Sequence, residues 1–348
     1  MKVIITGGTG YIGSHTAMEM LGANYEVVLI DNFSNSYPWV AERIATLSGK
    51  QVLMEEVDLT DADALDVCLA RHNDAAAIIH FAALKAVGES VEMPLRYYRN
   101  NLIGLLNLLS SMIRHSIPDL VFSSSCTVYG AAENMPIDET APLLAPLSPY
   151  GATKRMAEEM ITDLASANRI RAVLLRYFNP VGAHHSAQLG ELPIGVPNNL
   201  MPFITQTAIG KRKKLMVFGN DYPTPDGTPI RDYIHVTDLA IAHLKALQRM
   251  LNGKQKKSSE VFNLGTGKGY SVLEMIHAFE KHNGVKVPYE ITDRRPGDIA
   301  EIWADTSLAN KELRWHAQYG LKEMVTTAWQ WEQHLQTEEN LNPEEVSK

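Results

Sequence analysis

A chain of 348 residues is long enough for a large α/β domain and a second, smaller one; 45% apolar and 21% charged residues is the make-up of an ordinary globular protein. A formal charge of -8 argues against nucleic acid as the main partner, and an anionic ligand would need locally placed Arg or Lys. No apolar run approaches a membrane span, and the two cysteines, Cys68 and Cys126, show no metal-ligand spacing, so neither a membrane nor a metal is expected.

MKVIITGG runs straight into a glycine turn without the apolar stretch of a signal peptide, and a cytoplasmic protein is expected. Short apolar runs at 2–6, 26–30, 51–55, 77–81, 120–124 and 171–177 read as strands, several without alternation, as suits strands covered on both faces. Helical stretches at 94–115 and 149–168 fit between them, which predicts βαβ units and a doubly wound parallel sheet of the Rossmann type. Both helices carry apolar positions on more than one face, suiting either deep burial or a helical dimer interface. From Asn179 to Pro229, Pro, Gly and Asn suggest long ordered loops over a ligand. A smaller α/β unit follows, with Ser271 and Glu274 in the capping-box arrangement at a helix start. The tail from about Gln333 is acidic and polar and is expected to fray. The basic runs at 211–214 and 254–257 read as solvated surface.

Residues 7–13, GGTGYIG, directly follow the first strand, so Gly7, Gly10 and Gly13 fall at a strand-to-helix turn. There the backbone can approach a pyrophosphate and the helix N-terminus can face it. Asp31 ends the second strand, 18 residues after Gly13, where a carboxylate can bond a ribose diol and repel a 2′-phosphate. NAD is therefore favoured over NADP. Asp58, Phe81 and Lys85 lie at the ends of the next strands, at the same carboxyl edge.

SPYGATK, 148–154, opens a helix with Ser148 as N-cap and Pro149 in the first turn, setting Tyr150 and Lys154 on one face. A half-buried Tyr beside a solvated Lys is one reading. The other is an activated phenol, since a cation and a helix N-terminus both favour phenolate. Ser123, Ser124 and Ser125 end a strand at the same edge, where one hydroxyl could bond a substrate oxygen opposite Tyr150.

With GGTGYIGSH, AVGES, SSSCTVYG, SPYGATK, LRYFNPVGAH, PNNLMP, FGNDYPTPDGT, RDYIHV, NLGTGKGYSV and RRPGD in hand, the chain resembles the extended short-chain dehydrogenase/reductases, and within them the enzymes that epimerise UDP-sugars at C4. The likeness runs from Met1 to about residue 330. It implies an NAD-binding domain over 1–178 and a mainly UDP-sugar-binding domain over 179–348, the chain crossing between them. It also implies a homodimer through the 94–115 and 149–168 helices.

In the family Tyr150 is the base, Lys154 lowers its pKa and holds the nicotinamide ribose, and Ser125 is the catalytic hydroxyl. NAD contacts fall on Tyr11, Ile12, Asp31, Asn32, Asp58, Phe81, Lys85 and Asn100, with Phe178 near the nicotinamide. UDP-sugar contacts fall on Asn179, Asn199, Arg231, Arg295 and Asp298; Arg suits a diphosphate through its planar fork of donors. The implied reaction interconverts UDP-galactose and UDP-glucose: C4 is oxidised, the 4-ketose rotates, and hydride returns to the opposite face.

A 4,6-dehydratase would need an acid after the central Ser, where this chain reads Cys126-Thr127-Val128-Tyr129. A non-catalytic NAD sensor would not need the Tyr and Lys pair. Ile302 stands where some relatives carry Tyr and others a small residue, walling the sugar 2-substituent. It is intermediate in volume, so weak activity on UDP-GlcNAc or UDP-GalNAc is allowed. His184, His185 and His235 read as loop or packing residues, and Gly265, Gly267 and Gly269 as a tight turn before the Ser271 helix.

Overall fold

The fold was taken from a computed structural model, which describes residues 1–341 except 133, 296 and 297. Pro296 and Gly297 of RRPGD, and the end of the polar tail, lie outside the described residues.

The first half alternates as its apolar runs predict: β1 (Lys2–Thr6), α1 (Tyr11–Gly22), β2 (Glu26–Asp31), α2 (Trp39–Ser48), β3 (Val52–Glu56), α3 (Ala62–Arg71) and β4 (Ala77–His80). Next come α4 (Val87–Glu92), α5 (Pro94–Tyr98), a π-helical turn over Arg99–Ile103, α6 (Gly104–Arg114) and β5 (Asp119–Ser123). A 3-10 turn (Cys126–Tyr129), α7 (Pro149–Ser166) and β6 (Arg171–Tyr177) complete it. The expected single helix over 94–115 is thus interrupted. The π turn leaves Asn101 buried, its amide bonded to both backbone groups of Leu84.

The later chain runs β7 (Asn179–Val181), α8 (Leu200–Ala208), β8 (Leu215–Phe218), β9 (Ile230–His235), α9 (Val236–Leu251) and β10 (Ser259–Leu264). It continues through β11 (Gly269–Ser271), α10 (Val272–Asn283), β12 (Tyr289–Thr292), β13 (Glu301–Ile302), α11 (Ser307–Glu312) and α12 (Leu321–Leu341). Loops alone were expected before 229; α8 is the exception with most mass. Its Pro202 falls in the first turn, where a missing N–H has no helical partner to lose. The supposed tail is helical to Leu341, because Trp331 and Leu335 pack on Ala183 and Arg43 pairs with Glu338.

Seven parallel strands form the large sheet in the order β10-β6-β5-β4-β1-β2-β3. Side chains alternate across it: Val3 and Ile5 face the core under α1 and α9, and Ile4 faces the core under α6 and α7. The strand order reverses between β1 and β4, which opens a crevice at their carboxyl ends. Through α9 and β10 the chain returns to this sheet after β7 and β9 have started a smaller one. A third core of Ile204, Val217, Tyr233, Phe279 and Trp329 lies under β9 and between α8, α10 and α12. Ser271 and Glu274 make the capping box at the start of α10. Among the described residues no helix is long and apolar enough to cross a membrane.

Candidate active site

The crevice is a cleft lined by Gly7, Gly10, Tyr11, Ile12, Gly13, Asp31, Asn32, Asp58, Phe81, Lys85, Asn100, Tyr150 and Lys154. The glycine turn is closed on itself. Gly7 has φ +66°, and a Cβ on Gly13 would stand 2.1 Å from the Gly7 carbonyl oxygen. No side chain caps α1, so its first N–H groups remain for a ligand. A cradle that any side chain would fill, ahead of an uncapped helix, fits a dinucleotide pyrophosphate.

Asp31 holds this rim together. Its carboxylate accepts from Thr9 N at 3.1 Å, Phe33 N at 3.0 Å and Ser36 Oγ at 2.9 Å. Asp58 accepts from Asn32 Nδ2 at 2.9 Å and from both donors of Thr60. Burial pushes the Asp58 carboxyl up, but these bonds outweigh it and the net direction is down.

Across the cleft, Ser148 caps α7 by accepting from Gly151 N, and Tyr150 packs on Ala86 and Tyr97. Burial pushes the Tyr150 phenol well above its ordinary value, Tyr177 adds to this, and a hydrogen bond from Ser125 opposes it. The expected lowering does not arise in the chain by itself. Lys154 Nζ donates to the Ser123 carbonyl at 2.7 Å, and burial takes its own pKa down to about 8. Ser125, 7% exposed, caps the 3-10 turn by accepting from Thr127 N at 3.3 Å. Cys126 beside it is a half-buried thiol, pushed up to about 12 by desolvation.

Of the residues expected on the sugar-nucleotide side, Asn179, Arg231, Asp298 and Ile302 gather around β9. Arg231 donates to the Ile299 carbonyl at 2.8 Å and pairs with Asp298. Ile302 sits opposite it in the parallel register and packs with Phe178 and Val128. Asn179 pairs with Tyr233, and the Arg295 guanidinium lies 4.2 Å from the centre of the Phe218 ring. Asn199 precedes α8 and donates to Glu191 Oε1 at 2.6 Å, the same oxygen that Lys85 reaches at 3.1 Å.

Glu191, Tyr177, Trp39 and Trp331 also line the cleft and were not singled out from sequence. Trp331 comes from α12, and its indole donates to the Glu191 carbonyl at 2.9 Å. One trio of potential metal ligands exists among the described residues, Glu55, Cys68 and His72, brought together across β3 and α3. Arg71 already pairs with that carboxylate at 2.5 Å and supplies the positive charge there.

Fold and cleft together define a short-chain dehydrogenase/reductase of the extended, sugar-nucleotide type. Residues 4–328 match the family described as GDP-mannose 4,6 dehydratase. The chain is 53% identical to the UDP-glucose 4-epimerase of Bacillus subtilis (strain 168), over 95% of this chain and 97% of that one. It superposes with a TM-score of 0.93 on the UDP-glucose 4-epimerase of Stenotrophomonas maltophila, solved with bound NAD and formylated UDP-arabinopyranose. Identity there is 46%, over 97% of this chain and 99% of that one. The corresponding enzyme of Bifidobacterium longum, in complex with NAD+ and UDP, gives a TM-score of 0.92 at 44% identity, over 99% and 100% of the two chains. The chain belongs to the UDP-glucose 4-epimerase family.

Proposed function

We propose that this chain is an NAD-dependent isomerase interconverting UDP-galactose and UDP-glucose, with Tyr150 as the base. The observation that carries the assignment is the placing of Tyr150 and Lys154 in one cleft with the glycine cradle and Asp31. Held at the glycine cradle of Gly7, Gly10 and Gly13 and by Asp31, oxidised NAD would supply the hydride acceptor for C4 and a positive charge that favours phenolate. The Tyr150 oxygen removes the proton of the sugar 4-hydroxyl while Ser125 hydrogen-bonds the same oxygen. Lys154, held on the Ser123 carbonyl, keeps a cation at that end of the cleft. The 4-ketose turns over in the pocket to present its other face, and Tyr150 gives the proton back to O4 as hydride is returned to C4 on that face. Arg231 and Arg295 hold the UDP diphosphate; Asn179, Asn199 and Asp298 complete the sugar-nucleotide contacts, and Ile302 bounds the 2-substituent.

Residues 1–178 bind NAD and those from 179 on mainly the UDP-sugar, apart from α9 and β10. The working form is a cytoplasmic homodimer serving galactose metabolism. Exposed apolar side chains on the 94–115 and 149–168 helical stretches support that dimer: Leu95 and Leu106 are 79% and 50% exposed, and Met156 of α7 is exposed too. Deuterium at C4 of UDP-galactose tests the chemistry. The label should persist at C4 of the UDP-glucose formed; its loss to solvent, or a 4-keto-6-deoxy product, would contradict the assignment.

A further inference from the structure

Next to the reacting groups lies a buried ion pair that the chemistry does not use. Glu158 of α7 and Arg176 of β6 are 4% and 5% exposed. Arg176 Nη2 lies 2.6 Å from Glu158 Oε2 and its Nε 2.9 Å from Oε1. Such pairs are poor stabilisers, because desolvation offsets much of the attraction; a role in fixing one arrangement is the better reason to look for.

The pair grips both ends of one short segment. At its start, Ser124 Oγ donates to Glu158 Oε1 at 2.5 Å. At its end, Arg176 Nη1 donates to the Tyr129 hydroxyl at 3.1 Å, and the guanidinium lies 4.9 Å from the centre of that ring. Between the two grips stands Ser125, at the head of the 3-10 turn. One helical turn before Glu158, Lys154 holds the Ser123 carbonyl, so α7 clasps the end of β5 at two successive turns.

We infer that Glu158, paired with Arg176, is a positioning residue that fixes the 124–129 segment on α7 and so holds the Ser125 hydroxyl against Tyr150. The inference rests on the proposed roles of Ser125 and Tyr150. A misplacement of the order of 1 Å at a reacting group can lower a rate by about a hundredfold.

Ser124→Ala tests it without unpairing either buried charge. On the holoenzyme as purified, kcat for UDP-galactose should fall by about tenfold or more, with KM within about twofold and bound NAD unchanged. Ser124→Thr, which restores a hydroxyl, should recover most of that loss. Amides of 125–129 should exchange with deuterium about tenfold faster in Ser124→Ala, the factor that one lost hydrogen bond carries. Wild-type kcat in Ser124→Ala, a fall matching only its unfolded fraction in a thermal melt, or unchanged exchange would each overturn the inference. The exchange result does not depend on turnover. Inactive wild-type protein would thus refute the proposed reaction while exchange still decided the clamp.

Discussion

Lys154 Nζ donates to the Ser123 carbonyl at 2.7 Å and lies 6.0 Å from the centre of the Tyr150 ring. The lysine is anchored to the end of β5 and not to the phenol one turn before it. Two groups on one helix face are therefore held by different neighbours.

Tyr150→Phe removes only the hydroxyl from a side chain packed on Ala86 and Tyr97. Turnover of UDP-galactose should fall by about 10²–10⁴, the range for a general base, with the thermal midpoint and bound NAD unchanged. Turnover within a few fold of wild type would remove Tyr150 from that role.

Gly13→Ala puts a methyl 2.1 Å from the Gly7 carbonyl oxygen, a distance no turn can keep. The turn must open. The purified variant should carry less than about a tenth of the NAD of wild type, by absorbance after heat release, and melt at lower temperature. Full NAD content would contradict the cradle.

Ile302 is 4% exposed in an apolar cluster with Phe178, Val128 and Ala304. Ile302→Ala should raise kcat/KM for UDP-GalNAc relative to UDP-galactose by about tenfold or more, while losing about 2–5 kcal/mol of stability. Wild type should prefer UDP-galactose. An unchanged ratio in the variant would move the 2-substituent elsewhere.

Burial takes His15 and His80 down to about 3, and His243 to about 4. Unfolded, each titrates near 6.5, so below that the unfolded chain binds more protons than the folded one. Their stabilisation is complete above about pH 6.5 and is lost as pH falls towards 3–4. Denaturant midpoints should decline steadily from pH 6.5 to 4; a flat profile would show these imidazoles to be solvated.

Leu95 and Leu106 test the proposed dimer. Leu95→Glu with Leu106→Glu should halve the mass found by light scattering. An unchanged mass would place the interface elsewhere.

What the sequence made legible was local. The glycine spacing, Asp31 at a strand end, the Ser148 cap and the i,i+4 relation of Tyr150 and Lys154 each need only neighbouring residues. Glu191, Trp331 and Tyr177 reach the cleft from distant segments, and no spacing marks them. In the chain by itself the Tyr150 pKa runs opposite to the expected direction for the same reason. The helix end and the lysine are visible in the sequence, whereas the desolvation that outweighs them comes from tertiary packing. Helix α8 was hidden by Pro202, whose tolerance depends on standing in a first turn.

The most direct test of the central claim is to incubate the purified protein with UDP-galactose, add no NAD, and assay for UDP-glucose. Net redox change is zero, so retained cofactor suffices and UDP-glucose should accumulate to an equilibrium mixture. No product, even after NAD is supplied, would contradict the account.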